Sequence, residues 1–349
     1  MDDALAHRLE GLRQFGRNSF SGCLLYDDVR EFRCTTTPGF VGYLETSAVL
    51  LVMGEPVCPP EHYRRATVEF IEYARQRRCG CVFIAVGDAF VDAVADLRPT
   101  LLVLGEDMLF DTRSYRPRGD GAKKVRSAIN QFTRNGGFVR EYRPCLGRDL
   151  VIERAFDEVA SAWLKRHSRF QMHFLSLDLF RFAEVKRYFY VVADGRPMAF
   201  LACLPIFARN GYLFEDLVRH PSAPTGTTEA LVVEAIRAFR ADGVAMATFG
   251  LSPRLGLNGA SNLGWAGRVL VGSAMKIATR LSHLDRLYHS RKKYHTGIAE
   301  PSYLLKFPPG IRAREIAGVL RTFNLMPSTD SARADGVGVA RVTAAQRNV

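Results

Sequence analysis

Two residues that could do chemistry together, Asp216 and Arg219, stand three apart at the end of an apolar segment that begins at Tyr212. A carboxylate can accept a proton from an attacking hydroxyl or amine. A guanidinium keeps its charge at physiological pH and can hold a phosphate or a developing oxyanion. The pair therefore predicts a group-transfer site, with a simple ion pair at the end of a strand as the structural alternative.

The sequence around this pair is typical of a strand, a loop, a helix and a second strand. The loop at 219–226 contains Pro221 and Pro224 and closes on Gly226. The apolar residues after it recur at helical spacing: Leu231, Val232, Ala235, Ile236 and Phe239. An apolar strand at 244–249 follows. This order is that of the central part of an N-acetyltransferase-type (GNAT) fold, whose acyl donor enters where the loop meets the helix.

The same order of elements occurs once earlier in the chain. An apolar strand ends at Met53, and the acid Glu55, a Pro-rich loop, a helix at 61–78 and a strand at 82–86 follow it. Glu55 then occupies the place of Asp216. We interpret this as an internal repeat, although the order is common among α/β proteins. It predicts an α/β fold with mixed sheets, made of two tandem GNAT-like domains.

The domain boundary is predicted between the two repeats. The N-terminal GNAT-like domain then covers residues 1–145, and the C-terminal, catalytic one covers residues 146–325. Residues 326–349 show no hydrophobic period and are rich in Ser, Asp, Ala, Gly and Arg. Such a composition predicts a disordered tail.

The formal net charge of +12 favours polyanionic partners such as RNA, DNA or an anionic lipid surface. Part of this charge lies in a predicted helix at 123–134, whose apolar side consists of Val125, Ala128, Ile129 and Phe132. The other side of the helix is cationic and carries Lys123, Lys124, Arg126 and Arg134. A second basic cluster lies at 286–293. Both tracts are predicted to bind the polyanion; a merely solvated helix face is the alternative.

The sequence gives no sign of a membrane span or of a bound cofactor. No stretch approaches the roughly 18 consecutive apolar residues of a transmembrane helix, and the first residues do not have the plan of a signal peptide. The seven cysteines are scattered, which is typical of reduced thiols. We therefore expect a cytoplasmic protein without a transmembrane segment. No motif for ATP, a catalytic metal or a redox cofactor occurs, so none of these is expected.

A series of short motifs follows one another between about residue 10 and residue 307. They are RQFG (13–16), VMGEP (52–56), LGE (104–106), KVRSAINQFTRNG (124–136), SAWL (161–164), FLS (174–176), MAF (198–200), DLVR (216–219), GLSP (250–253), RKKY (291–294) and EPSYL (300–304). Each motif is unspecific alone, but their common order is specific. The chain resembles the soluble catalytic region of the lysyl-phosphatidylglycerol synthase (aminoacyl-phosphatidylglycerol synthase) family.

This resemblance implies tandem GNAT-like domains that move an amino acid from aminoacyl-tRNA to a hydroxyl acceptor, in the first place a phosphatidylglycerol-type lipid head group. Asp216 would orient or deprotonate the acceptor, and Arg219 would hold a phosphate or the oxyanion. Lys293 resembles the family's functional lysine and would contact the anionic donor or the lipid phosphate. Glu300 would bind the α-ammonium of the amino acid. One ester replaces another, so the transfer needs no cofactor and no metal.

The remaining assignments follow from the same resemblance. Besides Glu300, the predicted substrate-binding residues are Arg291, Arg254 and Tyr212. The predicted tRNA-binding residues are Lys123, Lys124, Arg126 and Arg134. The implied partners are aminoacyl-tRNA as donor and an anionic phospholipid or a small molecule as acceptor. Peripheral contact with the inner face of the membrane and the oligomeric state stay open.

The chain also departs from the family pattern. The family's usual N-terminal bundle of membrane helices is not seen in these 349 residues, and Ser290 and Arg291 stand where Phe and Lys are usual. Relatives without the bundle include enzymes that load an amino acid from tRNA onto a small molecule in a biosynthetic pathway. An acceptor of that kind is therefore the first alternative to a lipid.

Two further functions compete with aminoacyl transfer. Acyl-CoA N-acetyltransferases bind the CoA pyrophosphate through successive backbone N–H groups of a Gly-rich loop at the start of a helix. The loop at 219–226 has two prolines and one glycine, which argues against CoA. A non-catalytic RNA- or membrane-binding protein on the same scaffold would keep the basic tracts but would not need Asp216.

Overall fold

The structure is a computed structural model that describes residues 3–46, 48–167, 179–193, 195–282 and 284–322. The motif at 174–176 and the tail predicted at 326–349 lie outside these residues. The described helices are α1 (Asp3–Phe15), α2 (Tyr63–Gln76), α3 (Asp88–Ala93), α4 (Lys123–Arg134), α5 (Leu150–His167), α6 (Thr227–Ala241), α7 (Trp265–Ser282), α8 (Leu284–Lys292) and α9 (Ala313–Thr322).

The described strands form one continuous sheet. They are β1 (Arg30–Arg33), β2 (Phe40–Glu45), β3 (Val49–Met53), β4 (Gly80–Val86), β5 (Thr100–Asp111), β6 (Val139–Tyr142), β7 (Arg187–Ala193), β8 (Arg196–Ile206), β9 (Gly211–Arg219), β10 (Met246–Pro253) and β11 (Ile298–Phe307). Their order in the sheet is β1-β2-β3-β4-β11-β5-β10-β9-β8-β7-β6. The predicted mixed α/β class is confirmed.

Only two of the strand pairings seen in the described residues are parallel. β3 runs parallel to β4, and β9 runs parallel to β10. A helix connects the strands in each case, α2 in the first and α6 in the second, as parallel neighbours require. The two stretches read as repeats in the sequence are these two units. The division into tandem domains at residue 145 stays a prediction.

The centre of the sheet was not predicted from the sequence. β5 is the longest strand, and it pairs with β10 on one side and with β11 on the other. β11, the last of the described strands, also pairs with β4. The pairing of residues so far apart in the sequence joins the two β-α-β units into one sheet.

Each face of β9 packs against a different core. Phe214 packs beside Phe239 of α6, in a core that also includes Val125 of α4. Leu213 faces the other way, toward a core formed by the N-terminal part of the chain with Leu24 and by β8. Successive side chains of a strand point to opposite faces, so this alternation is expected up to Phe214. Glu215 still follows it, on the side of Leu213 and Tyr26, and the alternation breaks at Asp216.

Candidate functional site

β9 and β10 diverge beyond their three paired residues, and we call the gap between the two strands the crevice. The two strands are paired only through residues 211–213 and 246–248, after which β10 pairs with β5 alone and β9 with β8 alone. Gly250 of β10, with φ of +69°, lies just past the paired residues, and an added Cβ there would come within 2.7 Å of the Phe20 ring.

A β-bulge lies on β9 at the edge of this crevice. In the pairing with β8, Phe214 stands opposite Cys203 and Asp216 opposite Ala202, so Glu215 is the extra residue. A bulge breaks the alternation of side chains. Glu215 and Asp216 consequently share one environment, because Lys186 interacts electrostatically with both carboxylates. The bulge therefore places two acids side by side.

Asp216 has the properties of a base that works near neutral pH. The residue keeps part of its surface exposed to solvent. Burial of the carboxylate, together with the negative charge of Glu215, raises its pKa to about 7. Within the described residues, no hydrogen bond or ion pair holds this carboxylate. It is therefore free to accept a hydrogen bond from a bound substrate.

Glu215, in contrast, is held tightly. Its carboxylate lies 2.9 Å from Nζ of Lys186, and it accepts a hydrogen bond from the hydroxyl of Tyr26. Burial disfavours the charge on Lys186, but the carboxylates of Glu215 and Asp216 outweigh it, so the pKa of the lysine lies above its usual value. None of these three residues was predicted from the sequence to belong to the site.

The segment at 18–26 contacts buried carboxylates at three places along the sheet. Asn18 donates to Glu55 at 2.8 Å, and the backbone N–H of Gly87 donates to the same carboxylate at 2.7 Å. Ser19 donates to Asp107 of β5. Tyr26 reaches Glu215. Burial raises the pKa of Glu55 and of Asp107. One short stretch thus fixes an acid beside β3, one on β5 and one on β9.

Glu300, predicted to bind the α-ammonium of the amino acid, pairs with Arg209. The guanidinium donates to both carboxylate oxygens, at 2.8 and 2.9 Å. The carboxylate of Glu300 is 48% exposed, so a ligand can reach it. The carboxylates of Asp107 and Glu55 also interact electrostatically with Arg209. An ammonium would have to share Glu300 with this arginine.

Arg291 and Arg254 lie at the C-terminal end of β10. Arg291 donates to the carbonyl of Leu251 at 2.5 Å, and burial lowers its pKa to about 10. Arg254 is exposed, and its guanidinium lies 5.9 Å from the centre of the Tyr288 ring. Arg291 thus supports the backbone beside the crevice, and Arg254 is the more available of the two for a ligand.

Lys293 and the basic helix α4 meet at the start of α6. Lys293 forms an ion pair of 2.6 Å with Glu229 in the first turn of α6. Gly226, with φ of +87°, precedes that turn, and an added Cβ there would lie 2.1 Å from the carbonyl oxygen of Ala128 in α4. The glycine therefore allows the two helices to touch. The predicted tRNA surface lies beside the loop that follows Arg219.

The predicted tRNA-binding residues are not equally free. Lys123, Lys124 and Arg134 are exposed, although Arg134 donates to its own helix at the carbonyl of Asn130. Arg126 is partly buried and donates to the carbonyls of Pro117 and Gly119. The two lysines are consequently the most accessible charges of α4.

Tyr212 and Arg219 lie near the two ends of β9. Tyr212 stacks on Phe239 with 4.6 Å between ring centres, on the face of β9 opposite Glu215. Arg219 ends β9 and is exposed to solvent. The substrate role of Tyr212 and the oxyanion role of Arg219 stay predictions. No group of three or more metal-ligating side chains converges anywhere in the described ranges.

A sequence model of the family described as "Phosphatidylglycerol lysyltransferase, C-terminal" matches residues 9–306. The chain belongs to this family. A phosphatidylglycerol lysyltransferase of Staphylococcus epidermidis is 22% identical over 210 residues, which are 60% of this chain and 24% of that protein. The lysylphosphatidylglycerol biosynthesis bifunctional protein LysX of Rhodococcus jostii is 24% identical over 274 residues, 76% of this chain and 24% of that protein. This member of the family thus spans about a quarter of the length of these relatives.

Solved structures show the same fold as this chain. L-PGS from Bacillus licheniformis superposes with a TM-score of 0.72 at 19% identity and covers 93% of this chain and 97% of its own. A DUF2156 C-terminal domain from Agrobacterium fabrum has a TM-score of 0.71 at 17% identity, with 91% and 96% covered. At such identities the likeness concerns the fold alone.

The polar residues around Asp216 were not predicted from the sequence. Glu215 precedes Asp216 directly, but only the bulge places both acids in one environment. Asp107 had one signal, since it is an acid inside an otherwise apolar stretch. Lys186 had none, because a lysine before a strand is normally solvated.

Proposed function

We propose that the chain transfers an amino acid from aminoacyl-tRNA to a hydroxyl of a phosphatidylglycerol-type lipid. The supporting observation is Asp216 on β9, beyond the point where β9 and β10 diverge: the pKa of its carboxylate is raised to about 7, and no described residue pairs with it. Membership in the family supports the same reaction, since relatives carry the name phosphatidylglycerol lysyltransferase. Asp216, Arg219 and Lys293 are the proposed catalytic residues.

The proposed reaction exchanges one ester for another. The acceptor hydroxyl gives its proton to the Asp216 carboxylate while its oxygen bonds to the carbonyl carbon of the aminoacyl ester. Arg219 stabilises the negative charge that develops on the carbonyl oxygen. The bond to the ribose oxygen of the tRNA then breaks, and that oxygen receives the proton. The products are the aminoacyl ester of the acceptor and free tRNA.

The basic helix α4 supports tRNA as the donor. It packs against α6, the helix that begins at the end of the loop after β9, and it presents Lys123 and Lys124 to solvent. Lys293, in its ion pair with Glu229, lies at the same place. A helix face of one sign beside the crevice attracts the phosphates of a nucleic acid. Glu300, Arg291 and Arg254 complete the proposed substrate site.

The two parallel β-α-β units support the proposed tandem GNAT-like architecture. In each unit an acid, Glu55 or Asp216, lies where the parallel strands end or diverge. Only the second acid lacks a partner in the described part of the chain, because Glu55 is held by Asn18 and Gly87. We assign the chemistry to the second unit, residues 146–325, and a scaffold role to the first, residues 1–145.

The loop before α6 supports the argument against an acyl-CoA donor. Two of its residues are prolines without an N–H group. The N–H of Ser222 donates to the His220 ring at 3.2 Å, and the N–H of Ala223 donates to the His220 carbonyl at 3.0 Å. The N–H of Thr227 donates to the carbonyl of Pro224. These groups are turned into the loop and not toward a pyrophosphate.

Helix α7 supports peripheral contact with an anionic lipid surface. It packs through Val271 and Ala278 but exposes Trp265 (81%), Val269 (54%) and Ile277 (50%). The helix has no acidic residue, and its exposed basic residues are Arg268, Lys276 and Arg280. Apolar and cationic side chains on one exposed side are typical of helices that lie in a lipid interface. None of the described helices has the length and apolarity to cross a bilayer.

Membrane contact through α7 predicts that Trp265→Ser/Val269→Ser weakens binding to vesicles of phosphatidylglycerol and phosphatidylcholine about tenfold or more, because the variant inserts less apolar surface. Flotation measures the binding, and a blue shift of Trp265 fluorescence reports insertion of the wild type. Val68→Ser on α2, where the side chain is 42% exposed, is the matched control and should bind normally. Equal binding of both variants would rule out α7 as the contact.

Radiolabelled aminoacyl-tRNA tests the proposed function. We expect the protein to move label into the organic phase in the presence of phosphatidylglycerol vesicles, and ribonuclease treatment of the donor beforehand to prevent this. Label in small polar products, with soluble extract as the acceptor source, would instead favour a small-molecule acceptor. Transfer that resists ribonuclease, or no transfer to any acceptor, would contradict the proposal.

A further inference from the structure

Beside Asp216 lies a buried ion pair that the proposed reaction does not use. Lys186 and Glu215 are 2.9 Å apart, with side chains that are 0% and 2% exposed. The hydroxyl of Tyr26 joins them, since it accepts from Lys186 at 3.0 Å and donates to Glu215. Replacing a buried ion pair by apolar side chains is often neutral or stabilising. Stability alone therefore explains this group poorly.

The position of the pair suggests what it does. The bulge makes Glu215 the immediate neighbour of Asp216, and Lys186 interacts electrostatically with both acids. Its ammonium nevertheless contacts Glu215, and the carboxylate of Asp216 is left without a hydrogen bond or ion pair to any described side chain. Without Glu215, the carboxylate of Asp216 would be the remaining partner for a buried ammonium.

We propose that Glu215 is a positioning residue: with Tyr26 it holds the Lys186 ammonium in a pair of its own, so that the Asp216 carboxylate stays unpaired and open to the acceptor hydroxyl. This inference rests on the proposed function, in which Asp216 is the base. A carboxylate in an ion pair is a weaker base, because the pairing stabilises its charged form. Burial and the charge of Glu215 raise the pKa of Asp216, and Lys186 acts in the opposite direction.

The other titratable groups that face Asp216 from the described elements carry little charge at pH 7. Cys23 and Tyr26 come from the N-terminal part of the chain and Tyr188 from β7. Burial raises the pKa of all three, so they stay neutral. Glu153 of α5, which packs on the same side of the sheet, is paired with Arg148. Among charged groups, Glu215 and Lys186 therefore have the largest effect on the pKa of Asp216.

Glu215→Gln tests the inference, because it keeps the size of the side chain but removes its charge. Lys186 then interacts with Asp216 alone. We expect the acidic limb of the pH dependence of kcat/KM, near pH 7 in the wild type, to move down by about one pH unit or more. The double variant Lys186→Met/Glu215→Gln removes both charges. Its limb should return to within about half a unit of the wild-type position.

A second buried pair in the same protein provides the control. Lys306 and Glu315 are 3.1 Å apart with side chains 4% and 6% exposed, and they join β11 to α9. Glu315→Gln should lower the unfolding midpoint and leave the limb in place, because no transfer step involves that pair. A limb that moves equally in both Gln variants would overturn the inference.

Three outcomes separate this inference from the proposed function. If Asp216→Asn abolishes transfer and Glu215→Gln leaves the limb unchanged, the positioning role is wrong and the base assignment stands. If Asp216→Asn retains transfer, the base assignment is wrong and the inference is overturned with it. If Glu215→Gln does not fold, the double variant decides, because a limb displaced by more than about one unit would overturn the positioning role.

Discussion

Replacing Asp216 by Asn is expected to lower the rate of aminoacyl transfer by roughly 100- to 10,000-fold at pH 7.5, the range typical of a lost general base. The amide has the size of the carboxylate but cannot accept a proton from the acceptor hydroxyl. Single-turnover transfer of label from aminoacyl-tRNA to phosphatidylglycerol measures the change. Binding of tRNA should stay within about twofold of wild type, since α4 and not β9 carries the proposed contacts.

This loss should not come from unfolding. The pKa of Asp216 is about 7 in the folded protein and near its usual value of 3.8 in the unfolded chain. Between about pH 4 and pH 7 the folded state therefore binds the extra proton, and wild-type stability falls as the pH rises through this window. The Asn variant does not share this fall and should be at least as stable at pH 7.5, as urea unfolding can show.

A second acid provides the control for this substitution. Asp111 ends β5, where it accepts hydrogen bonds from the backbone of Arg113 and the hydroxyl of Ser114. The single oxygen of an Asn side chain can still accept from the backbone of Arg113, and the Ser114 hydroxyl can turn to accept from the amide N–H. Asp111→Asn should therefore transfer at the wild-type rate. If the two Asn variants transferred equally well, Asp216 would not be the base.

The affinity for tRNA is expected to fall about a hundredfold between 50 and 200 mM salt. The prediction assumes that about four phosphates are neutralised, one by each of the basic residues assigned on α4, and each displaced counterion adds to the salt dependence. Fluorescence anisotropy of labelled tRNA over this range measures it. A response that is flat in salt would exclude tRNA binding by phosphate contacts.

A charge-matched pair of variants locates the surface. Lys123→Gln/Lys124→Gln removes two exposed charges from α4 and should reduce the slope of log affinity against log salt by about two. Arg64→Gln/Arg75→Gln removes two charges from α2, where both arginines lie in exposed ion pairs. The net charge is then the same, so an equal effect of both variants would mean that tRNA responds only to overall charge.

Local patterns in the sequence predicted the β-α-β units well. The strand ending at Met53, the helix from Lys123 to Arg134 and the strand containing Asp216 lie where apolar periodicity placed them. These elements depend on residues close in the chain, so period and turn chemistry are sufficient to find them. The position of Asp216 beside the crevice could be predicted for the same reason.

The polar partners of Asp216 and the centre of the sheet depend instead on residues far apart in the chain. Tyr26 and Glu215 are 189 positions apart. The bulge at Glu215 is set by how β8 and β9 align, which no local pattern encodes. β5 contains Gly105 followed by two acids, so its apolar run is interrupted. The acids are accommodated because Thr248 of β10 and Ser19 donate to Asp107, and Tyr288 of α8 donates to Glu106.

The place of β11 in the sheet has a consequence for how the chain matures on the ribosome. β4 and β5 do not pair with each other. Each pairs with β11, which is synthesised almost 190 residues after β5. Until β11 is made, each strand has an unpaired edge that can hydrogen-bond to a strand of another chain. Such pairing can begin aggregation. Nascent chains of this protein consequently stay exposed to such pairing until β11 has emerged.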